Sequence, residues 1–283
     1  MGHKIARKLI PYSVLLVEAL VFFRHVLFYG GYVIPWDLRT YHLPQLELVA
    51  RAFRAGELPL WDPYTYCGTP LYANITTQLF YPPTLVTVWL SNLAGGDNLL
   101  YFLEWQIALH VFLAGAFAFL MLRRLGLAQL PALFGATVFE LGGYFASQTQ
   151  HLGAVNAAAW IPLAWLAAVE LGRSFSWRRT AMLAASLSMT LLAGFPAVTF
   201  VAAVSTVLVG VAVSSWKSIV PCCLAGAWSL LLSAVQVLPT AELSRLSVAK
   251  YRGDWLGTGG GIPLQSLVSL VSPNHYGIFD LKT

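Results

Sequence analysis

The sequence predicts an all-α membrane protein with about seven transmembrane helices, an amphipathic helix and a long first extracytoplasmic loop. Three observations predict this fold class. Of the 283 residues, 58% are hydrophobic and only 10% are charged, whereas about 25% of the residues of an ordinary soluble domain are charged. The mean hydropathy is +0.67, and apolar stretches close to the length of a bilayer crossing recur along the chain. The basic residues form short clusters between these stretches.

The first predicted helix follows a basic N-terminal segment, MGHKIARK. An apolar run at about 9–34 comes next. This run is longer than the apolar region of a signal peptide, contains Glu18 and Arg24, and has no small-residue cleavage site after it. We therefore expect it to be a retained helix whose N-terminus is cytoplasmic.

Six further spans are predicted after the first helix. They lie at about 99–122, 128–146, 152–172, 180–195, 197–213 and 218–238. With a cytoplasmic N-terminus, nine basic residues fall in cytoplasmic segments, as the positive-inside rule expects. The membrane core would then cover 1–238, and 239–283 would begin an extracytoplasmic segment.

The first outer loop, 31–98, is too long to be a simple turn, and long loops commonly carry function. Its segment TYHLPQLELVARAFRAG has the period of an amphipathic helix, with Leu46, Val49 and Phe53 on one face and charged residues on the other. We expect this helix to lie along the membrane surface. The apolar piece at 81–94 is predicted to be re-entrant or interfacial, with a true span as the alternative.

The net charge and the cysteines count against several classes of function. The formal charge is +5, but the basic clusters between apolar runs are typical of topology signals and not of a nucleic-acid interface. Cys67, Cys222 and Cys223 have the spacing of neither a disulfide framework nor a metal site. Neither a nucleic-acid partner nor a metal ligand is therefore predicted from these residues.

Asp37 is the candidate catalytic residue. It follows the first predicted helix, at the outer boundary between water and lipid, where a carboxylate has the chemistry of a general base. Tyr41 lies one helical turn further on, where its hydroxyl would orient Asp37. The alternative is that Asp37 only caps the amphipathic helix, and the spacing does not decide between the two.

Aromatic residues are dense in the segment PLWDPYTYCGTPLYAN of the same loop. Trp61, Tyr64, Tyr66 and Tyr72 would either stack on sugar rings or form an aromatic belt at the level of the lipid headgroups. Asn74 begins the tripeptide N-I-T, which is a weak signal for a glycosylation acceptor.

Further candidate binding residues lie on later outer segments. His151 follows the third predicted span and would contact a phosphate or carry a proton, or would be an ordinary loop histidine. Glu242, Arg245 and Arg252 follow the last span. There they would form a basic rim facing a phosphorylated lipid, or a solvated helix surface with an ordinary ion pair.

Several of these segments together resemble the YfhO-like bacterial membrane proteins. The resemblance to the first outer loop of that family lies in Asp37, Tyr41 and Pro44, followed by GELPLWDPYTYCGTPLYAN and FYPP. VLPTAELSRLS followed by IPLQSLVSLVSPNHYG resembles the segment after its seventh helix. The likeness spans about 10–279.

The resemblance implies a fold and an activity, because the YfhO-like proteins are similar to the membrane-embedded C-type glycosyltransferases. It implies a GT-C-like core in the bacterial cytoplasmic (inner) membrane, with the active site on the extracytoplasmic side. The donor would be a polyprenyl-phosphate-linked sugar, the acceptor an envelope glycan or lipid, and the transfer would invert the anomeric centre. Asp37 matches the acidic residue that is the usual catalytic base of that superfamily.

The same resemblance implies which residues surround Asp37. They are Tyr41, Trp61, Gly68, Pro70, Asn74, Tyr81 and Pro82 in the first outer loop, and His151, Glu242 and Arg245 at the rim. Asp62 stands where relatives are expected to have Asn, so it is given no catalytic role. The second outer loop has no acidic residue of its own, which leaves a role for a divalent metal open.

The YfhO-like proteins are usually far longer than this chain, so we expect the chain to be the membrane core of a longer protein. Two other classes of function stay open. A transporter or flippase of lipid-linked precursors would place functional polar residues and broken helices near the middle of the bilayer. A non-catalytic membrane scaffold would not depend on the Asp37 carboxylate.

Overall fold

The computed structural model describes residues 2–248, 264–272 and 275. The chain divides into two compact units, Met1–Thr240 and Ala241–Thr283. Within the described residues the secondary structure is helical, and the only β-type pairing is an isolated bridge between Asp62 and Thr69. The predicted all-α class is therefore confirmed.

Thirteen α-helices are present in the described part of the chain. They are α1 (Gly2–Phe22), α2 (Arg24–Phe28), α3 (Leu43–Arg54), α4 (Pro82–Leu93), α5 (Leu99–Arg124), α6 (Gln129–Glu140), α7 (Gly143–Gln148), α8 (Leu152–Ala158), α9 (Ile161–Arg173), α10 (Trp177–Leu192), α11 (Pro196–Val213), α12 (Ile219–Leu232) and α13 (Ala234–Leu246). The second unit contains the end of α13 and a 3-10 helix, Leu264–Leu270.

Three helical segments are long and apolar enough to cross a membrane: α5, the continuous stretch Leu152–Arg173, and α11. The segment Trp216–Leu232 and α13 together would make a fourth, bent by 76° at its break. These apolar helices indicate a membrane protein. The described residues thus give three or four candidate spans by length and composition, fewer than the seven that the sequence predicts.

Shorter and interrupted helices account for the difference in number. The apolar part of α1, Leu9–Phe22, ends well before the predicted boundary at residue 34. The third predicted span is divided at Gly142, the residue before α7, and a Cβ atom built there would lie 2.8 Å from the carbonyl oxygen of Val138. The fifth corresponds to α10, which has 16 residues.

The core of the first unit is built around α5, which packs against α1, α4, α6 and α9. On the far side of α9 lie α10 and α11. Ala164, Ala167 and Ala168 on α9 are fully buried. Small residues at such positions let neighbouring helix backbones approach closely, which is the main source of packing energy between helices in lipid.

The amphipathic helix of the first outer loop is confirmed as α3. Pro44 occupies its first turn, and Leu46, Val49 and Ala50 are buried. Glu47 and Arg51 form an exposed ion pair at 3.6 Å. The apolar face is packed on protein, since α3 contacts α4 and α5, so the burial seen here is against other helices and not against the membrane surface.

The segment at 81–94 forms α4, a helix of 12 residues. At about 1.5 Å per residue it spans roughly 18 Å, which is too short to cross the hydrocarbon core alone. Asn92 on α4 donates a hydrogen bond from Nδ2 to the carbonyl oxygen of Ala50 at 3.0 Å, which joins α4 to α3. The re-entrant or interfacial interpretation of this segment fits this length.

Candidate functional site

Asp37 and His151 meet at the centre of the candidate site. The Oδ2 atom of Asp37 lies 3.3 Å from Nε2 of His151, although the two residues belong to separate segments of the chain. The side chains are 52% and 30% exposed, respectively. A carboxylate and an imidazole are thus in contact and open to solvent, the arrangement required for moving a proton to or from a bound molecule.

The backbone before Asp37 is fixed by the membrane helices. Ile34 is buried, and its backbone N–H donates to Oε1 of Glu104 on α5 at 2.8 Å. Trp36 then takes a left-handed conformation with φ of 61°, which is uncommon for a residue with a side chain and marks a constrained turn. A short π-helical turn, Leu38–His42, begins directly after Asp37.

His151 is oriented from its other ring nitrogen. Its Nδ1 atom lies 2.9 Å from Oε1 of Gln148 at the end of α7. When the imidazole is protonated, both N–H groups have an acceptor, Gln148 on one side and Asp37 on the other. The ring also lies beside Phe195, at a centroid distance of 6.4 Å.

A second histidine, His42, lies close enough to this pair for the charges of Asp37 and His151 to affect its pKa. Its side chain is buried, and desolvation lowers its pKa to about 4 despite the opposing effect of the Asp37 carboxylate. His151, which carries the same sign of charge when protonated, lowers the His42 pKa further. His42 is therefore neutral near pH 7. Sequence reasoning did not identify His42, because the burial of a single loop residue leaves no periodic pattern.

A chain of hydrogen bonds connects Tyr41 and Asn74, two of the predicted site residues. Thr76 donates its hydroxyl proton to Oδ1 of Asn74 at 2.7 Å, so the Tyr41 hydroxyl, 2.8 Å from Thr76 Oγ1, is the donor in that contact. Asn74 in turn donates to Oε1 of Gln45 at 3.2 Å. Tyr41 is thus positioned by Thr76, and the predicted hydrogen bond from Tyr41 to Asp37 is absent among these contacts.

The aromatic segment of the first outer loop is held by Asp62 and Gly68. Asp62 is buried and accepts hydrogen bonds from the backbone N–H of Tyr64 at 2.8 Å and from the Thr65 hydroxyl at 2.5 Å. Asp62 therefore fixes the turn. Trp61 is 58% exposed, and its ring lies over Gly68. Trp61 remains open to a ligand from solvent.

Two cavities are lined by residues that neighbour Asp37 or contact His151. The first, a polar cleft of about 440 Å³, lies between α3 and the aromatic segment, and Thr40, Tyr41 and Arg51 are among its lining residues. Thr40 and Tyr41 lie on the helical turn that Asp37 begins. The cleft is thus one turn away from the carboxylate.

The second cavity, the apolar groove, has a volume of about 770 Å³ and is lined by residues of α6, α7, α9 and α11. Phe139, Tyr144, Trp165 and Val201 line its walls. Gln148 and Phe195, which both contact His151, line it as well. The Asp37–His151 pair is therefore in contact with residues that line the apolar groove, and it lies one helical turn before residues that line the polar cleft.

Tyr81, a predicted binding residue, lies in the packed interior. It is fully buried, and its hydroxyl is 2.6 Å from Nε2 of His110 and accepts a hydrogen bond from Nε1 of Trp160 at 2.8 Å. A ligand would reach this hydroxyl only by displacing packed side chains. The position of Tyr81 is that of a residue that joins α4, α5 and the start of α9.

The remaining predicted site residues lie in the second unit or outside the described residues. Glu242 and Arg245 are exposed on the last turns of α13. Arg252 lies outside the described residues. Within the described ranges, no group of three or more His, Cys, Asp or Glu side chains is arranged to hold a metal ion, so no ligand set can be assigned to a divalent metal.

Comparison with known proteins adds no identity to this geometry. No family model, no curated protein and no solved structure gives a significant match to the chain.

Proposed function

We propose that the chain is the membrane core of a C-type glycosyltransferase similar to the YfhO-like proteins. In this proposal it transfers a sugar from a polyprenyl-phosphate donor to a cell-envelope acceptor outside the bacterial cytoplasmic membrane, and it inverts the anomeric centre. The observation that supports this most directly is the contact of Asp37 with His151, close to residues that line the apolar groove and residues that line the polar cleft. The proposal includes seven spans with a cytoplasmic N-terminus.

The two cavities match the two parts of such a donor. The polyprenyl chain is apolar, and the groove lined by Phe139, Trp165 and Val201 offers it a surface of the same character. The sugar is polar and needs hydrogen-bonding and aromatic partners, which Tyr41 and Arg51 provide in the cleft. The phosphate that joins tail and sugar would then lie near His151.

Asp37 acts as the general base in this mechanism. Its carboxylate accepts the proton of the acceptor hydroxyl while the hydroxyl oxygen forms a bond to the anomeric carbon. The bond between that carbon and the phosphate oxygen breaks, and its electron pair leaves with the polyprenyl phosphate. His151, when protonated, stabilises the negative charge of the departing phosphate. A single displacement from the opposite face inverts the configuration at the anomeric carbon.

The test is the substitution Asp37→Asn, which keeps the size of the side chain and removes its basicity. Membranes containing the variant are supplied with polyprenyl phosphates carrying labelled hexoses, and label transferred to endogenous acceptors is measured. We expect a loss of about 10²–10⁴-fold, the usual contribution of a general base. Glu57→Gln is the matched control, because Glu57 is an exposed carboxylate in the same loop. Transfer at the wild-type rate by Asp37→Asn would refute the proposal.

A flippase of lipid-linked precursors is the second candidate, and one observation favours it. Glu140 at the end of α6 is fully buried, and neither of its carboxylate oxygens has a hydrogen-bond partner among the described residues. The helix is interrupted immediately afterwards, at Gly142. Buried carboxylates beside broken helices are typical of transporters. Glu140→Gln would then abolish lipid translocation, whereas the transferase proposal assigns the essential carboxylate to Asp37.

A further inference from the structure

A third cavity lies at the other end of the Leu152–Arg173 span from His151. It has a volume of about 480 Å³, and its lining residues include Arg124, Glu170, Arg178 and Arg179. A straight helix of that length would place Glu170 roughly 30 Å from His151, close to the thickness of the hydrocarbon core. This cavity, which we call the arginine pocket, thus belongs to the opposite membrane face from the candidate active site.

The arginine pocket carries more positive than negative charge. Glu170 forms ion pairs with Arg124 at 3.7 Å and with Arg179 at 3.3 Å. Arg178 is exposed and makes no ion pair or side-chain hydrogen bond with any described residue. Three guanidinium groups against one carboxylate leave two positive charges uncompensated, and Glu170 holds two of the three guanidinium groups in fixed positions.

The start of α10 adds further donors to the arginine pocket. Helix α10 begins at Trp177, and its N-cap residue Ser176 makes no side-chain capping hydrogen bond. The first N–H groups of a helix have no partner within the helix and attract anions. Ser174 and Ser176 line the same pocket, so hydroxyl, amide and guanidinium donors surround one space.

Neighbouring aromatic residues place the pocket at the depth of lipid headgroups. Phe175 and Trp177 are both exposed, and the Trp177 ring stacks on Trp228 at a centroid distance of 5.6 Å. Exposed tryptophan at helix ends is enriched where the membrane meets water. The pocket also has apolar lining, from Leu120 and Met182, so an acyl chain has a surface to follow away from the charged groups.

We propose that the arginine pocket binds the phosphate of an anionic phospholipid headgroup. Guanidinium groups are the preferred partners of phosphate, because their N–H groups match its oxygens in pairs. Basic pockets between helices at a membrane face bind such headgroups. This site is separate from the Asp37–His151 pair and does not depend on the proposed glycosyl transfer.

The test compares lipids that share acyl chains and differ in charge. The purified full chain in detergent is titrated with dioleoyl phosphatidylglycerol and with dioleoyl phosphatidylcholine, and bound lipid is counted by native mass spectrometry. We expect preferential binding of the anionic lipid. Arg178→Gln should weaken that binding about fivefold, the effect of one basic residue near an anionic headgroup, and Arg178→Lys should restore most of it. Arg178 has no partner to lose, so its replacement leaves the fold intact.

Lys217→Gln is the matched control, because Lys217 is an exposed basic residue that does not line the pocket. It should leave the binding of phosphatidylglycerol unchanged. Equal binding of the two lipids, or equal weakening by Arg178→Gln and Lys217→Gln, would overturn the proposal. Competition by inorganic phosphate separates the two sources of the ligand: full displacement at equimolar phosphate would show a soluble anion site and overturn the lipid assignment.

Discussion

The Oε1 atom of Gln148 lies 2.9 Å from Nδ1 of His151, and the same glutamine lines the apolar groove. Gln148 thus connects the surface that would hold a lipid tail to the imidazole that faces Asp37. Because the hydrogen bond fixes one ring nitrogen, it also fixes the direction in which Nε2 of His151 points. Gln148 is therefore a positioning residue of the proposed site.

Replacement of Gln148 by Ala should lower sugar transfer without unfolding the chain. Losing one hydrogen bond that orients His151 costs about 1–1.5 kcal/mol, which is roughly a tenfold loss of rate. The loss should appear in kcat more than in KM for the donor, because the imidazole loses the contact that orients it. Gln150→Ala is the control, since Gln150 is a neighbouring amide with the same partial burial. Equal kinetics for both variants would contradict this role.

The burial of His42 predicts that the folded chain loses stability in mild acid. Burial lowers its pKa from 6.5 to about 4 in the folded chain, whereas the unfolded chain binds a proton near pH 6.5. As the pH falls from about 6.5 to 4, His42 binds a proton in the unfolded state but not in the folded state. The stability from neutral His42 is therefore complete above pH 6.5 and is lost through this range, by roughly 3 kcal/mol in total.

The measurement for His42 is the apparent melting temperature in detergent at pH 7.5 and at pH 5. Wild type should lose more on acidification than His42→Gln, which keeps a polar side chain and cannot gain a proton. His275, outside this loop, serves as the control when it is changed to Gln in the same way. An identical pH dependence in wild type and His42→Gln would show that His42 is not the titrating group.

The sequence predicted those parts of the fold that depend on local pattern. The period of α3 predicted its buried apolar face and its charged opposite face, and the apolar piece at 81–94 corresponds to α4. The number of spans could not be obtained in this way. Hydropathy averages over a window, so it does not detect a break such as that at Gly142, where two successive glycines lie at the junction of α6 and α7.

For the candidate site, the sequence predicted several of the residues but not the contacts between them. Four polar residues were predicted to lie on outer segments: Asp37, Tyr41, Asn74 and His151. Asp37 pairs with His151, and Tyr41 and Asn74 belong to one chain of hydrogen bonds. Their pairing was not predictable, because the contact between Asp37 and His151 joins segments that are distant in the chain. Tyr81 looked equivalent in the sequence, but its burial follows from the packing of α4 on α5.

Gly68→Ala should disrupt the aromatic segment of the first outer loop. Gly68 has φ of 114°, and a Cβ atom there would lie 2.5 Å from the Trp61 ring. We expect Trp61 to be displaced and the loop to be cleaved faster in limited proteolysis, with a loss of stability of about 1–3 kcal/mol. In a Trp61→Ala background the same change should cost less, because only the backbone strain remains. Equal costs in both backgrounds would show that the two residues are not coupled.

Tyr81→Phe distinguishes a structural residue from a binding residue. The change removes a hydroxyl that pairs with His110 and Trp160, and it leaves the buried ring nitrogen of His110 and the part-buried ring nitrogen of Trp160 without this partner. Each unsatisfied group costs about 1–3 kcal/mol, so the apparent melting temperature should fall. The KM for the sugar donor should stay at its wild-type value in the folded fraction.

Tyr101→Phe is the control for Tyr81, because the Tyr101 hydroxyl makes one longer hydrogen bond, 3.3 Å to the carbonyl oxygen of Leu27, and the residue is partly exposed. That variant should melt close to wild type. A raised KM with unchanged stability in Tyr81→Phe would place the Tyr81 hydroxyl against the donor. The packed interior around it would then have to open when the donor binds, because Tyr81 is fully buried and its hydroxyl is bonded to His110 and Trp160.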